Sequence, residues 1–253
     1  MEPIDFEPKL VVFDLDGTVT DSKQSLQPEM GQLLTQLMKK MPIAIMSGCS
    51  YQQFQKQFLP GLPSEAPPNR LFIFPTNAAQ CYVLQDGKWR QQYNHSLSAE
   101  EKTQITDAIH RALRDSGFGE TPKEVWGERI EDRDAQIAFS YYGQEAPLEV
   151  KKAWDPDRKK RVAIRQALLP ILTDFSISVG GTNTIDITRK GVTKSFGLRA
   201  LSRITEIDIE NMVYVGDALD EGGNDSVVKE TAIRTIQVAG PEEVKEFVHS
   251  LTK

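Results

Sequence analysis

Val11-Val12-Phe13-Asp14-Leu15-Asp16-Gly17-Thr18 is the stretch that decides the fold. Residues 10–13 form a short apolar run rich in β-branched side chains, the pattern of a strand buried on both faces. Two carboxylates, Asp14 and Asp16, follow at its carboxyl end, where open α/β sheets place their ligands, and Gly17 permits a close turn. Paired carboxylates commonly divide their work, one attacking as nucleophile and the other moving a proton. An Asp-rich turn after a strand is common in itself. Gly17-Thr18 and the buried strand in front raise this one above a plain turn.

Outward from that stretch, strand and helix alternate. Met30, Leu33, Leu34, Leu37, Met38 and Met41 recur at helical spacing, and Pro42 ends the helix. A second apolar run, Ile43-Ala44-Ile45-Met46, leads into Ser47-Gly48, and a third, Leu71-Phe72-Ile73-Phe74, ends at Pro75. This alternation predicts βαβ crossovers and a parallel sheet. The texture changes near Cys81, where two runs around Asp86-Gly87 read as a hairpin. Ser98-Ala99-Glu100-Glu101 is a capping box for a helix that turns Ile105, Ile109 and Ala112 inward and closes at Gly117. Two-faced strands at 136–142 and 175–179 flank a helix at 156–172, and Ile185-Asp186-Ile187 adds a short strand. After Lys190-Gly191 the first texture returns, with a helix carrying Phe196, Leu198 and Leu201, strands at 212–215 and 233–238, and a last helix with Val244, Phe247, Val248 and Leu251 on one face. The expectation is an α/β core from residues 1–84 and 189–253, interrupted by an α+β unit at 85–188.

Composition narrows the function classes. The chain has 253 residues, 39% hydrophobic and 26% charged, ordinary for a globular protein. Apolar runs are too short for a membrane span, and Met1-Glu2-Pro3-Ile4-Asp5 lacks the pattern of a secretory signal. With two cysteines, Cys49 and Cys81, the expectation is reduced thiols in a cytoplasmic protein. A net charge of −6 and a pI near 5.3 argue against nucleic acid. The one basic cluster, Arg158-Lys159-Lys160-Arg161, falls in a predicted helix and reads as a solvated face.

Three further places carry chemistry. Ser47-Gly48 ends the second strand, and a hydroxyl with a backbone N–H there can hold a phosphate oxygen, although Ser-Gly also ends many strands as a plain turn. Lys194 opens a helix; alone it would be a surface lysine, but beside the other residues its ammonium can neutralise a phosphate and an attacking carboxylate. Gly216-Asp217-Ala218-Leu219-Asp220-Glu221-Gly222-Gly223-Asn224-Asp225 follows a buried strand with hard oxygen ligands suited to Mg²⁺, Asp217 foremost and Asn224 and Asp225 behind it.

Together these residues resemble the haloacid dehalogenase superfamily, whose four motifs match in order: Asp14-Leu15-Asp16-Gly17-Thr18, Ser47, Lys194, and Gly216-Asp217 to Asn224-Asp225. The resemblance implies a Rossmann-like three-layer α/β/α core with an inserted α+β cap of type IIB. It implies Asp14 as nucleophile through a phospho-aspartyl intermediate, Asp16 as general acid/base, and Mg²⁺ held by Asp14, the Asp16 carbonyl and Asp217. Within that group the chain is similar to eukaryotic-type phosphomannomutases, in Phe13 to Thr20, Asp86-Gly87-Lys88, Ile130-Glu131-Asp132-Arg133, Gly180-Gly181-Thr182-Asn183-Thr184-Ile185-Asp186 and Gly222-Gly223-Asn224-Asp225. This likeness makes Arg133, Thr184 and Asp186 cap residues facing a sugar phosphate. The mutases grip a distal phosphate with several cap arginines; here Arg133 matches one, Gln144 stands where another is expected and Lys151 replaces a third, and the loop Met46-Ser47-Gly48-Cys49-Ser50 has a serine where mutases tend to have glycine. Gln lacks the charged fork that Arg offers a phosphate. The expectation is therefore a phosphatase for a small phosphorylated substrate, with a phosphomutase as the alternative and a non-catalytic binding protein on the same scaffold as the remote one. The same likeness allows a monomer or a cap-mediated homodimer.

Overall fold

The computed structural model describes residues 6–21, 24–85, 87–181 and 183–253. Asp86 and Thr182, both in stretches quoted above, lie outside the described residues, as does the stretch 1–5. The chain divides into two compact units, one running to Asn94 and resuming at Thr193–Lys253, the other His95–Val192.

In the first unit, β1 (Leu10–Asp14) is followed by helix α1 (Pro28–Lys40), strand β2 (Ile43–Met46), the short helical turn α2 (Tyr51–Gln53), strand β3 (Leu71–Phe74), and the pair β4 (Gln80–Gln85) and β5 (Lys88–Asn94). β1, β2 and β3 pair in parallel, and β3, β4 and β5 antiparallel. The hairpin therefore extends the large sheet and does not begin the inserted unit, so the second unit starts ten residues beyond the expected 85. The physical reason is that β4 is apolar on both faces. Cys81 and Val83 pack into the core on one side of the sheet, while Tyr82 and Trp89 pack against the core on the other. Cys49 and Cys81 are buried and form no disulfide, and burial pushes the Cys81 thiol up to about 12.

The second unit begins with α3 (Ala99–Asp115), whose Ser98 and Glu101 form the expected capping box. Strands β6 (Ile130–Asp132) and β7 (Ile137–Ser140), helices α4 (Leu148–Trp154) and α5 (Lys159–Leu168), and strands β8 (Phe175–Gly180) and β9 (Thr184–Arg189) follow. The four strands form an antiparallel sheet in the order β6-β7-β9-β8. Ile105, Ile109 and Ala112 of α3 pack with Ile164 and Leu168 of α5 on Ile137, Phe139, Ile177, Ile185 and Ile187.

Back in the first unit come α6 (Lys194–Thr205), β10 (Met212–Gly216), β11 (Arg234–Gln237) and α7 (Pro241–Thr252). Among the described residues the large sheet has seven strands in the order β11-β10-β1-β2-β3-β4-β5. Its central strands alternate faces as a pleat requires. Val11, Phe13, Ile43, Ile45, Val213 and Val215 meet α1 and α7, while Leu10, Val12, Ala44, Met46, Met212 and Tyr214 meet Leu198 and Leu201 of α6. The first unit is thus a three-layer α/β/α core and the second an α+β unit. Among the described residues no helix is long and apolar enough to cross a membrane.

Arg161 departs from the solvated face expected of the basic cluster. It is buried, its Nε donates to Asp155 Oδ2 at 2.7 Å, and its Nη1 donates to the carbonyls of Gly180 and Gly181 at 2.9 and 2.7 Å. Asp155 also accepts from the backbone N–H groups of Lys160 and Arg161, so it caps α5. The cluster has four like charges in sequence, but the helix turns one of them inward, where an acid and two carbonyls satisfy it. Arg161→Leu should lower unfolding free energy by about 3 kcal/mol in urea denaturation, because it strands a buried carboxylate; a change under about 0.5 kcal/mol would show that the pair is dispensable.

Candidate active site

Parallel strands order their carboxyl ends along one edge, and the loops leaving that edge lie side by side. β10, β1 and β2 are neighbours in register, so the loops that begin at Asp14, Ser47 and Asp217 meet there. Asp14 closes β1 and is buried. Gly17 holds the next turn at φ +89, and a Cβ on it would stand 2.7 Å from Asp217 Oδ2. Only glycine lets the Asp14 loop approach Asp217 this closely. Ser47 Oγ lies 3.5 Å from Asp16 Oδ2 and accepts from the Cys49 N–H at 3.1 Å. Gly48, half-buried, shares that loop.

Lys194 is the first residue of α6 and is 1% exposed. Its Nζ donates to Asp14 Oδ1 at 2.5 Å and to Asp225 Oδ1 at 2.6 Å. Burial alone would lower the pKa of this ammonium, but Asp14 and Asp225 outweigh it and hold the group well above its ordinary value. Burial, with Asp225 and Asp217 close by, pushes the Asp14 carboxyl well above the usual range despite the ammonium beside it. The edge thus concentrates acidic groups that favour a cation.

Oxygen atoms of Asp14, Asp217 and Asp225 lie within 4.8 Å of one another, an all-oxygen donor set that fits Mg²⁺. Asp225 is engaged on both oxygens, Oδ1 by Lys194 and Oδ2 by the Ala218 N–H at 3.3 Å. Asn224 precedes Asp225 in the same loop and is half-buried.

The remaining candidates belong to the second unit. Arg133 donates to Glu131 Oε2 through Nε at 2.8 Å and Nη2 at 2.6 Å, and Nη2 lies 3.3 Å from Gln144 Oε1. Lys151 Nζ donates to the Gln144 carbonyl at 2.8 Å. Arg133, Gln144 and Lys151 are therefore one buried cluster, although β7 and a loop separate them in sequence. Thr184 donates its hydroxyl to the Gly180 carbonyl at 2.8 Å, and Asp186 is buried on the same strand.

Residues 11–226 match the model of the haloacid dehalogenase-like hydrolases, and the chain belongs to that family and is an enzyme of it. It is 26% identical over 255 residues to a probable phosphomannomutase of Caenorhabditis elegans, covering 96% of this chain and 95% of the relative. It is 26% identical to a phosphomannomutase of Encephalitozoon cuniculi, covering 98% and 94%. Among solved structures, an N-terminally truncated IMP-nucleotidase of Plasmodium falciparum superposes with a TM-score of 0.71 at 16% identity, over 97% of this chain and 70% of that one. A haloacid dehalogenase-like hydrolase of Bacteroides thetaiotaomicron does so with a TM-score of 0.59 at 14% identity, over 96% and 99%. At these identities the structures speak for the fold alone.

Two residues of this edge are not legible as site residues in the sequence. Gln237, at the end of β11, accepts from the Leu219 N–H at 3.1 Å through Oε1 and donates through Nε2 to the Asp217 carbonyl, bracing the acidic loop. Tyr214 lies inside an apolar strand and reads as core, yet its hydroxyl donates to Asp225 Oδ1 at 2.6 Å and lies 3.1 Å from Lys194 Nζ. Tyr214→Phe keeps the ring and removes one donor from a buried carboxylate. It should lower unfolding free energy by about 1.5–3 kcal/mol, the range for hydrogen bonds to charged groups. Unchanged denaturation would mean that Asp225 does not need the phenol.

Proposed function

We propose that this haloacid dehalogenase-like hydrolase is a Mg²⁺-dependent phosphatase that hydrolyses a small phosphomonoester of the sugar-phosphate kind through Asp14. This rests above all on one observation, the buried Asp14 carboxylate paired with Lys194, which also pairs with Asp225, at the sheet edge that carries Asp16, Ser47 and Asp217. Asp14 attacks phosphorus, forming an acyl phosphate, while the P–O bond to the alcohol breaks and Asp16 gives the leaving oxygen a proton. Asp16 then takes a proton from water, the water oxygen bonds to phosphorus, and the Asp14–phosphorus bond breaks to release inorganic phosphate. Ser47 and the Gly48 N–H hold the phosphoryl oxygens, and Lys194 offsets their charge. Asp14, Asp217 and the Asp16 carbonyl would hold Mg²⁺, which when bound neutralises further charge on the phosphoryl group.

The second unit supplies selectivity in this proposal, with Arg133, Thr184 and Asp186 meeting the rest of the substrate. Arg133 is committed to Glu131 and faces Gln144 where a second arginine would strengthen a phosphate grip, which favours water over a sugar hydroxyl as the acceptor. The second reading is a hexose phosphomutase, and it is favoured by the phosphomannomutase relatives that span nearly the whole chain. In that case the hydroxyl at the other end of a hexose phosphate takes the phosphoryl group from Asp14.

With Mg²⁺ the purified protein should release phosphate from p-nitrophenyl phosphate or from one of a panel of sugar phosphates. Asp14→Asn should reduce that release by a factor of about 10³ or more, as loss of a nucleophile does. Turnover unaffected by Asp14→Asn would sink the proposal. With mannose 1-phosphate and a hexose bisphosphate, free phosphate should accumulate faster than mannose 6-phosphate; the reverse order would establish the mutase. Arg133→Ala should raise KM for the sugar phosphate about tenfold or more while sparing p-nitrophenyl phosphate. Equal losses on both substrates would take Arg133 out of substrate recognition.

A further inference from the structure

Thr76, Asn77 and Ala78 follow β3 and Pro75 at the carboxyl edge of the large sheet, and all three have left-handed backbone, at φ 53, 53 and 67. None is glycine. Asparagine tolerates this region, alanine less so, and a β-branched threonine there is a genuine outlier. All three are buried, so solvent does not relieve the strain. Strain of this kind persists only where the surroundings over-determine the backbone, and it concentrates at functional sites.

The surroundings here are the elements that carry two of the site residues. On one side, the Thr76 N–H donates to the Cys49 carbonyl and the Asn77 N–H to the Ser47 carbonyl, each at 2.9 Å, so the turn grips the Ser47 loop by its backbone. On the other side, Ala78 lies against Gly197 of α6. A Cβ on Gly197 would stand 2.5 Å from the Ala78 Cβ and 3.2 Å from Met46 Cε. Gly197 lies three residues beyond Lys194, close to one helical turn. A glycine inside a helix is unfavourable, and this contact explains it. Tyr93 completes the clamp, its hydroxyl donating to the Ala78 carbonyl at 3.1 Å.

We propose that the left-handed turn Thr76–Ala78 is a positioning element for phosphoryl transfer: it fixes the spacing between the Ser47 loop and the helix that carries Lys194. Its catalytic consequence rests on the phosphoryl-transfer reading above, whereas its structural part stands on the contacts alone. The turn touches neither Asp14 nor the phosphate. It acts by seating Gly197 on Ala78 while holding the Ser47 and Cys49 carbonyls.

A size exchange across the Gly197–Ala78 contact tests this. Gly197→Ala should push α6 off the turn and lower kcat on the order of tenfold to a hundredfold, with KM changed less than about threefold, since small displacements of charged groups cost that much. Adding Ala78→Gly removes the clashing methyl and suits the positive φ, and the double variant should regain kcat to within about threefold of wild type. A double variant as slow as Gly197→Ala, or a Gly197→Ala chain with wild-type kcat, would overturn the proposal. Should Gly197→Ala fail to fold, Ala78→Gly alone decides: it empties the seat and should lower kcat by about threefold or more at unchanged KM, and a wild-type kcat would count against the turn. The ¹H–¹⁵N resonance of the Lys194 ammonium gives a readout without turnover. It should shift in Gly197→Ala and return in the double variant; a resonance unmoved by Gly197→Ala refutes the spacing role. If the wild-type chain turned over no phosphomonoester, the phosphatase reading would fall while this resonance still decided the role of the turn.

Discussion

An ammonium at the first residue of a helix, 1% exposed, is doubly unfavourable. The N–H groups there already present partial positive charge, and burial removes the water that would solvate the cation. Lys194 is stable in that position because Asp14 and Asp225 meet it at 2.5 and 2.6 Å, with Tyr214 as a further neighbour. The three charged groups come from the end of β1, the start of α6 and the loop after β10, and Lys194 is 180 residues from Asp14 in sequence. The core therefore has to close from both ends of the chain for this cluster to exist, and the parallel order β10-β1-β2 is the arrangement that places the loops together. Removing Lys194 would leave two buried carboxylates facing each other uncompensated. Asp217 adds a further carboxylate, so an approaching phosphate meets a site whose own acids would repel it. In the proposed reaction Lys194 and a divalent cation would therefore serve binding as much as chemistry.

The sheet was legible in the sequence because its strands are short continuous apolar runs ended by glycine, proline or an acid, and such runs have few other readings. Asp14, Ser47 and Asp217 were legible because each follows one of those runs directly. Tyr214 was not, since a tyrosine in a run of Met212, Val213 and Val215 is indistinguishable from core until Asp225 folds back to meet its hydroxyl. Pro75-Thr76-Asn77-Ala78 was equally silent. A left-handed turn is announced by glycine, and here the strain is held by the Ser47 loop and α6, neither of which is adjacent in sequence.

The inserted unit shows the limits of local reading more sharply. Its capping box at Ser98 was plain, because both partners lie within one turn of helix. A boundary at residue 85 cuts through the hairpin because antiparallel texture does not say which sheet a strand will join; the apolar residues on both faces of β4 keep both strands on the large sheet. Arg161 looked like a surface charge because the sequence shows neighbours along the chain, whereas its partners are Asp155, Gly180 and Gly181. β6 and α4 are too short to show a period, at 3 and 7 residues.

Under the proposed function, charge in that second unit bears on whether water or a second hydroxyl takes the phosphoryl group. A mutase must accept phosphate at either end of its substrate, so its selectivity surface needs cations to match a dianion, and a fixed arginine fork does this best. Here Arg133 already spends two donors on Glu131, Gln144 contributes an amide where charge is wanted, and Lys151 is turned to a backbone carbonyl. Such a surface suits hydroxyl groups better than a second phosphate, because paired charges and amides offer both donors and acceptors while keeping little net charge. In the proposed reaction, with no strong grip on a second phosphate, the intermediate on Asp14 would be left to water, and this charge distribution favours hydrolysis over transfer to a second hydroxyl.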